Sequence, residues 1–430
     1  MATGRSISIT GLGAVTPLGV GVAAFVRALR EGRSGTRVVG NKSEGTWSGV
    51  AAECRDFEPT SVLSKADAER LPRLVPMALA ACLEACGQAG LAVGEGLGAR
   101  AQRVGLVLGT GGGGIDFTLD QAKEGYSGGR LSLWTITNAT HGNLSGELSI
   151  RLGLRGPSLC ISTGCASSSD AVGMALEMLR SDRPGAPEAM VVVGADAHVR
   201  WETMTSMALL RVLTTRTNDE RSAATASRPF DRTRDGFVLG EGAWAILMER
   251  EGSARSRGAR EIARVEGYGA TCDAYHRVRP DPEMRESARA MEEALEDAGR
   301  RADEVEVVQY HGTGTVLNDM LETQAVKMAL GAHASRVRGH AVKSMIGHPQ
   351  GACGLAGLVA TVGGLTAQDS GLGGEEAGPF LHPTINLTEA DPACDLDYTP
   401  LRSAATGARV VLVNCLAFGA KNSALVVSAG

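Results

Sequence analysis

One cysteine and two histidines stand in stretches suited to chemistry. Cys165 lies in CISTGCASSSDAVGMALEML (160–179), between an extended apolar segment and a run with Val172, Ala175, Met178 and Leu179 at helical spacing. This places Cys165 at or near a helix N-terminus, where free backbone N–H groups and the positive end of the dipole favour a thiolate. Gly164 permits the sharp turn that presents the sulfur, and Ser167, Ser168 and Ser169 are positioned to cap the helix. Taken alone, the pattern fits a small buried cysteine before an ordinary helix equally well.

His311 follows the apolar run 305–309 and opens HGTGTVLNDMLE, while His348 lies five residues after Lys343 in VKSMIGHPQGACGLAGL (342–358). A histidine at a strand end followed by glycines can point into a crevice where backbone approaches a ligand closely. Either imidazole could instead be a hydrogen-bonded structural group. No short-spaced His, Cys or carboxylate cluster has the spacing of a zinc or iron site.

The elements that would position these groups alternate. Strand patterns at 104–108, 189–193, 243–248, 305–310 and 410–413 are interleaved with helical patterns at 71–89, 168–180, 282–298 and 321–330. The alternation predicts a layered α/β fold. After Gly351 a small-residue apolar helix is expected, buried on most sides. The charged stretch 251–260 is a plausible junction, dividing the chain into 1–253 with the cysteine and 254–430 with both histidines. Each part opens alike, ISITGLGAVTPLG at 7–19 and ARVEGYGATCDA at 263–274, which suggests a duplication.

Bulk properties narrow the class. The 430 residues are 43% hydrophobic and 21% charged, with a net charge of -5, and no apolar run approaches the roughly 20 residues of a membrane span. A general basic field for nucleic acid is absent. Nine scattered cysteines and an N-terminus without a leader pattern read as free thiols in a cytoplasmic protein.

Seven collinear motifs carry a family resemblance: TGLGAVTPLG from Thr10, STGCASSSDAVGMAL, RPFDRTRDGFVLGEGA from Arg228, DAYH from Asp273, HGTGTVLNDMLE from His311, KSMIGHPQGACG from Lys343 and NCLAFGAKNS from Asn414. Over essentially its whole length the chain resembles a β-ketoacyl synthase of the thiolase superfamily, of the elongating type that works with discrete acyl carrier proteins. The resemblance implies a duplicated αβαβα fold and a decarboxylative Claisen condensation. Cys165 would carry the acyl group, and His311 and His348 would stabilise the enolate of a malonyl thioester. A Lys343–Glu322 ion pair would order the site, and Cys165 and Phe418 would supply the oxyanion hole, with Phe418 as a gate. Thr313 and Thr315 would bind the phosphopantetheine arm, and Asp319 would anchor their loop. No bound cofactor is expected. The partners implied are an acyl carrier protein and a second subunit, either identical or a chain-length-factor-like protein.

Three departures from the family pattern are informative. Ala417-Phe418-Gly419-Ala420 replaces a more glycine-rich gate, which predicts a stiffer loop. Gly111 to Gly114 stand where relatives often place a bulky residue, so Gly111 and Gly112 are expected to open the acyl pocket. With Trp201 and the altered 211–216 segment, these features point to polyketide or specialised fatty-acid synthesis. Lys65, Arg70, Arg73, Arg130 and Arg216 fall in segments that, by resemblance, approach the carrier-protein entrance. The rival readings are a non-catalytic chain-length subunit, disfavoured by Cys165, a housekeeping fatty-acid elongation enzyme, and a degradative thiolase.

Overall fold

The computed structural model describes residues 6–40, 48–216, 220–367 and 378–430. Ten strands form the frame. The first five are β1 (Ile7–Thr16), β2 (Val104–Gly109), β3 (Ser158–Ile161), β4 (Ala189–Asp196) and β5 (Gly242–Glu249). The second five are β6 (Ala263–Cys272), β7 (Val307–Gln309), β8 (Arg338–His340), β9 (Val410–Ala417) and β10 (Lys421–Ala429). Across the sheet they run β8-β7-β9-β10-β6-β1-β5-β4-β2-β3. Read from either end inward, each set has the order third, second, fourth, fifth, first. The two first strands meet antiparallel at the centre, Ile7 opposite Val265 and Ile9 opposite Ala263.

Six helices complete five layers: α1 (Leu74–Gln88), α2 (His141–Leu152), α3 (Ser167–Arg180), α4 (Arg285–Ala298), α5 (Val316–Leu330) and α6 (Cys353–Leu365). Strand alternation decides which layer each side chain joins. Met190 and Val192 of β4 face the central cluster with α3 and α6, whereas Val191 and Val193 face the outer cluster with α1 and α2. On the other side α4 and α5 cover β7, β9 and β10. All of α6 is buried, as expected for a small-residue apolar helix.

Element limits differ from the periodicity in two informative places. α5 begins at Val316, well before 321, because its first turn carries the polar Asn318 and Asp319 and has no apolar rhythm. α4 begins at Arg285, three residues after Pro282, because Met284 adopts a left-handed conformation (φ 52°) that breaks the run.

The shared opening of the two parts has a packing cause. A Cβ on Gly11 or Gly13 of β1 would lie 1.9 Å from the carbonyl oxygen of Ala85 or Ala81 in α1. The same additions on Gly267 and Gly269 of β6 would lie 2.2 and 2.1 Å from the carbonyls of Ala294 and Ala290 in α4. In each set the first strand gives up two side chains on one face so that a helix backbone can rest directly on it. Gly13→Ala and Gly269→Ala are each expected to cost about 3 kcal/mol of unfolding free energy. Gly87→Ala, on a helix surface with nothing within 4 Å of the new Cβ, should instead stabilise by roughly 0.5–1 kcal/mol. Urea unfolding of the three variants distinguishes these outcomes.

Candidate active site

After β3 a short turn, Gly164–Ala166, leads into α3. Gly164 has φ 64°, and a side chain there would come within 3.1 Å of the Phe418 carbonyl oxygen. The turn holds Cys165 buried at 4% exposure. Burial pushes its thiol up to about 12, with the Lys343 ammonium and the Phe418 N–H opposing. The helix start therefore presents a thiol at rest, not the thiolate that its N-terminal position suggests. Nor do the serines cap α3: its start has no side-chain cap. The Ser167 hydroxyl lies between the carbonyls of Gly164 and Thr110, and Ser168 Oγ accepts the N–H of Leu355. Their small size lets α6 approach.

His311 lies just beyond β7, and His348 lies in the turn between the short helix Lys343–Ile346 and α6. Their rings meet edge to face, with centroids 5.3 Å apart. The Cys165 sulfur and one ring nitrogen from each histidine lie within 4.8 Å of one another. Burial first, then the Lys343 charge, holds both imidazoles well below the usual histidine range, so both are neutral. Lys343 has only donors. Its ammonium lies 3.3 Å from Nδ1 of His311, so Nδ1 accepts and the ring proton sits on Nε2. Three such groups could also grip a soft metal ion, but the same ammonium opposes a second positive charge at His311. A nucleophilic sulfur beside neutral N–H donors instead suits covalent acyl capture and stabilisation of an oxyanion.

Lys343 and Glu322 support His311 in a way that the motifs do not reveal. Lys343 also donates to the His311 carbonyl. Glu322 accepts the N–H groups of His311 and Gly312 and the Asn414 amide, and burial raises its carboxyl to about 7. Among the described residues the two side chains form no direct ion pair. They grip opposite edges of one peptide, which corrects the expected geometry.

A cavity of about 330 Å³ opens over Cys165, lined by His311, His348, Thr313, Thr315 and Phe418 among others. The Thr313 and Thr315 hydroxyls are 3.0 Å apart. Buried Asp319 accepts the N–H groups of Thr313, Gly314 and Phe230, fixing that loop. Phe418 packs against Met204, Phe237 and Leu239. Its loop is tied down by Gly419 N–H to Arg277 O and Asp273 N–H to Ala420 O, and Ala420 holds a left-handed φ of 63°.

Other expected residues lie elsewhere. Gly111 and Gly112 do not line the cavity. The space of their missing side chains is filled, 3.1 Å from Gly351 N at Gly111 and 2.7 Å from His198 Nδ1 at Gly112. These glycines allow close packing and do not enlarge an acyl pocket. Arg73 is tied to Glu241 and the Cys54 carbonyl, which makes it a structural group. Lys65, Arg70 and Arg130 are exposed but do not line the cavity. Arg216 reaches the rim through Asp235, 3.9 Å away.

The motifs understated several neighbours. Gln350, two residues after His348, lines the cavity, and Arg211 and Arg279 stand at its mouth. Behind Cys165, the Cys353 thiol donates to the Cys165 carbonyl at 3.1 Å. A polar glutamine in the turn just before an otherwise apolar helix is the one readable signal.

The family model Beta-ketoacyl synthase, N-terminal domain matches residues 4–254, and Beta-ketoacyl synthase, C-terminal domain matches residues 262–369. A 3-oxoacyl-[acyl-carrier-protein] synthase 2 from Synechocystis sp. is 36% identical over 427 residues, covering 98% of this chain and 97% of that protein. The solved ishigamide ketosynthase/chain length factor is similar at a TM-score of 0.84 and 31% identity, covering 99% of each chain. The ketosynthase complex AntDE:AntF, a type II PKS acyl-carrier protein with its ketosynthase bound to the hexaketide, gives 0.85 at 26% identity, over 99% of this chain and 100% of that one. The α/β, thiolase-like architecture is the one expected. With both family domains matched in order along a duplicated frame, this chain belongs to the beta-ketoacyl synthase family.

Proposed function

We propose that the protein joins an acyl group held on Cys165 to the two-carbon unit of a malonyl-acyl carrier protein, releasing CO2 and giving a β-ketoacyl-acyl carrier protein. The observation that carries this reading is the convergence of the Cys165 sulfur and two neutral imidazoles, within 4.8 Å, in one cavity. In the first step the sulfur attacks the acyl-carrier thioester, and its proton passes to the departing pantetheine sulfur. The N–H groups of Cys165 and Phe418 hold the tetrahedral oxyanion. The malonyl thioester then loses CO2, and the electron pair left behind forms an enolate whose oxygen takes N–H bonds from His311 and His348. The enolate carbon attacks the acyl-Cys165 carbonyl, and the sulfur leaves and regains a proton. The electron balance closes without a redox partner, because loss of CO2 supplies the nucleophilic carbon. Lys343 and Glu322 position His311, and Thr313 and Thr315 receive the phosphopantetheine arm.

The carrier reaches the cavity mouth, where Arg211 and Arg279 carry guanidinium groups with no partner among the described residues. Together with Arg216 they suit an acidic carrier helix. A second subunit, a copy or a chain-length-factor-like protein, docks on β3. This strand ends the sheet with one edge unpaired, and Leu133, Ile136 and Ile150 are exposed on the segments around it. Polyketide or specialised fatty-acid synthesis is the setting, in the cytoplasm, with the chain divided at 253/254. No helix among the described residues is long and apolar enough to cross a membrane.

His311→Ala and His348→Ala should each slow CO2 release from malonyl-carrier protein by about 10²–10³. Cys165→Ser should abolish acyl-enzyme formation seen by intact mass. Retention of condensation by any of the three contradicts the mechanism. Because burial raises the Cys165 thiol, its iodoacetamide alkylation should climb about tenfold per pH unit through pH 9; a plateau near neutrality would mean that the helix N-terminus outweighs burial. Lys343→Met should slow alkylation further. Arg211→Glu with Arg279→Glu should raise KM for the carrier protein roughly two- to fivefold, an effect that shrinks with added salt.

A further inference from the structure

Gln350 is 7% exposed, lines the cavity and stands in the turn between His348 and α6. Its backbone adopts φ 45°, a left-handed conformation that a non-glycine residue holds only when its surroundings impose it. Its two amide ends differ. Oε1 lies 3.9 Å from the Cys165 sulfur and takes the thiol S–H, while Nε2 is buried with no acceptor among the described residues. A buried amide donor without a partner is costly and uncommon. Gln350 lines the cavity over Cys165, so a group that enters beside the sulfur can bring the acceptor that Nε2 lacks.

We propose that Gln350 is a specificity-determining residue, whose amide N–H donates to an oxygen on the β-carbon of the acyl chain carried by Cys165. This reading rests on the condensing function proposed above. The β-carbon is three bonds from the sulfur, so a ketone or hydroxyl there lies in the neighbourhood of an amide that already touches that sulfur. Acylation also removes the S–H, which frees Oε1 and lets the whole amide turn to the chain. A saturated chain offers no acceptor and leaves the donor orphaned. The substrate class selected is therefore a β-oxygenated acyl thioester, in preference to a saturated one of equal length.

The test loads the full-length protein with acetoacetyl- and butyryl-pantetheine thioesters and follows Cys165 acylation by intact mass. The parent protein should prefer acetoacetyl. In Gln350→Met, of equal length and without an N–H, the ratio of the two kcat/KM values should fall about tenfold. Gln350→Glu, which loses the donor once its carboxyl ionises, should lower the ratio in the same direction as pH rises. A parent protein without preference, or a ratio that neither variant moves, overturns the role of Gln350 alone. A parent protein that loads neither thioester on Cys165 overturns the condensing reading and this one with it.

Discussion

Two helix N-termini abut at the centre of the molecule, and the site depends on that contact. α3 follows the third strand of the first set, and α6 follows the third strand of the second. They come together only because the residues between them have almost no side chain. A Cβ on Gly354 would lie 2.1 Å from Ser169 Oγ, and one on Gly351 would lie 2.2 Å from the N–H of Gly111. The contact sets Cys165, at the start of one helix, against the turn with His348 and Gln350 at the start of the other. Any larger residue would separate them by more than the tolerance of a hydrogen bond.

Burial then sets the charge state. It raises the thiol of Cys165 and lowers both imidazoles, so the reacting groups are all neutral at rest beside the ammonium of Lys343. In the proposed condensation negative charge appears only as the reaction proceeds, on the sulfur and on the enolate oxygen. It then meets a fixed cation and fixed N–H donors in a site largely closed to water, where such interactions are strongest. A thiolate at rest would partly cancel this advantage, since it would pair with Lys343 before any substrate arrived.

Much of this was legible in the sequence, and the remainder has a common cause. The apolar rhythm located α1, α3 and α4 to within a few residues, because each is long, and α6 was marked instead by its run of small apolar residues. The paired glycines of 11–13 and 267–269 marked the duplication, although only the structure explains them as helix-backing positions. Gly111 and Gly112 misled because an absent side chain reads as empty space, whereas Asp196, His198 and Gly351 fill it from 84 or more positions away. The same distance hid the Glu241 partner of Arg73, 168 positions away. The Lys343–Glu322 geometry was hidden for a different reason: both residues act on a third, and pairwise spacing cannot express that.

The duplicated frame carries an asymmetric site. In the second set the loop after the second strand bears His311. In the first set the equivalent loop after β2 bears Thr110, Gly111 and Gly112, and it closes on Asp196. That carboxylate takes the Thr110 hydroxyl and the N–H groups of Gly111, Gly112 and Gly351. The first strand set thus supplies Cys165 and a brace, and the brace holds Gly351, which adjoins Gln350 in the turn that carries His348. Cys165 lies in one part and both imidazoles lie in the other, so neither part alone holds a working set. The reacting groups come together only when both parts have folded onto the shared pair of central helices.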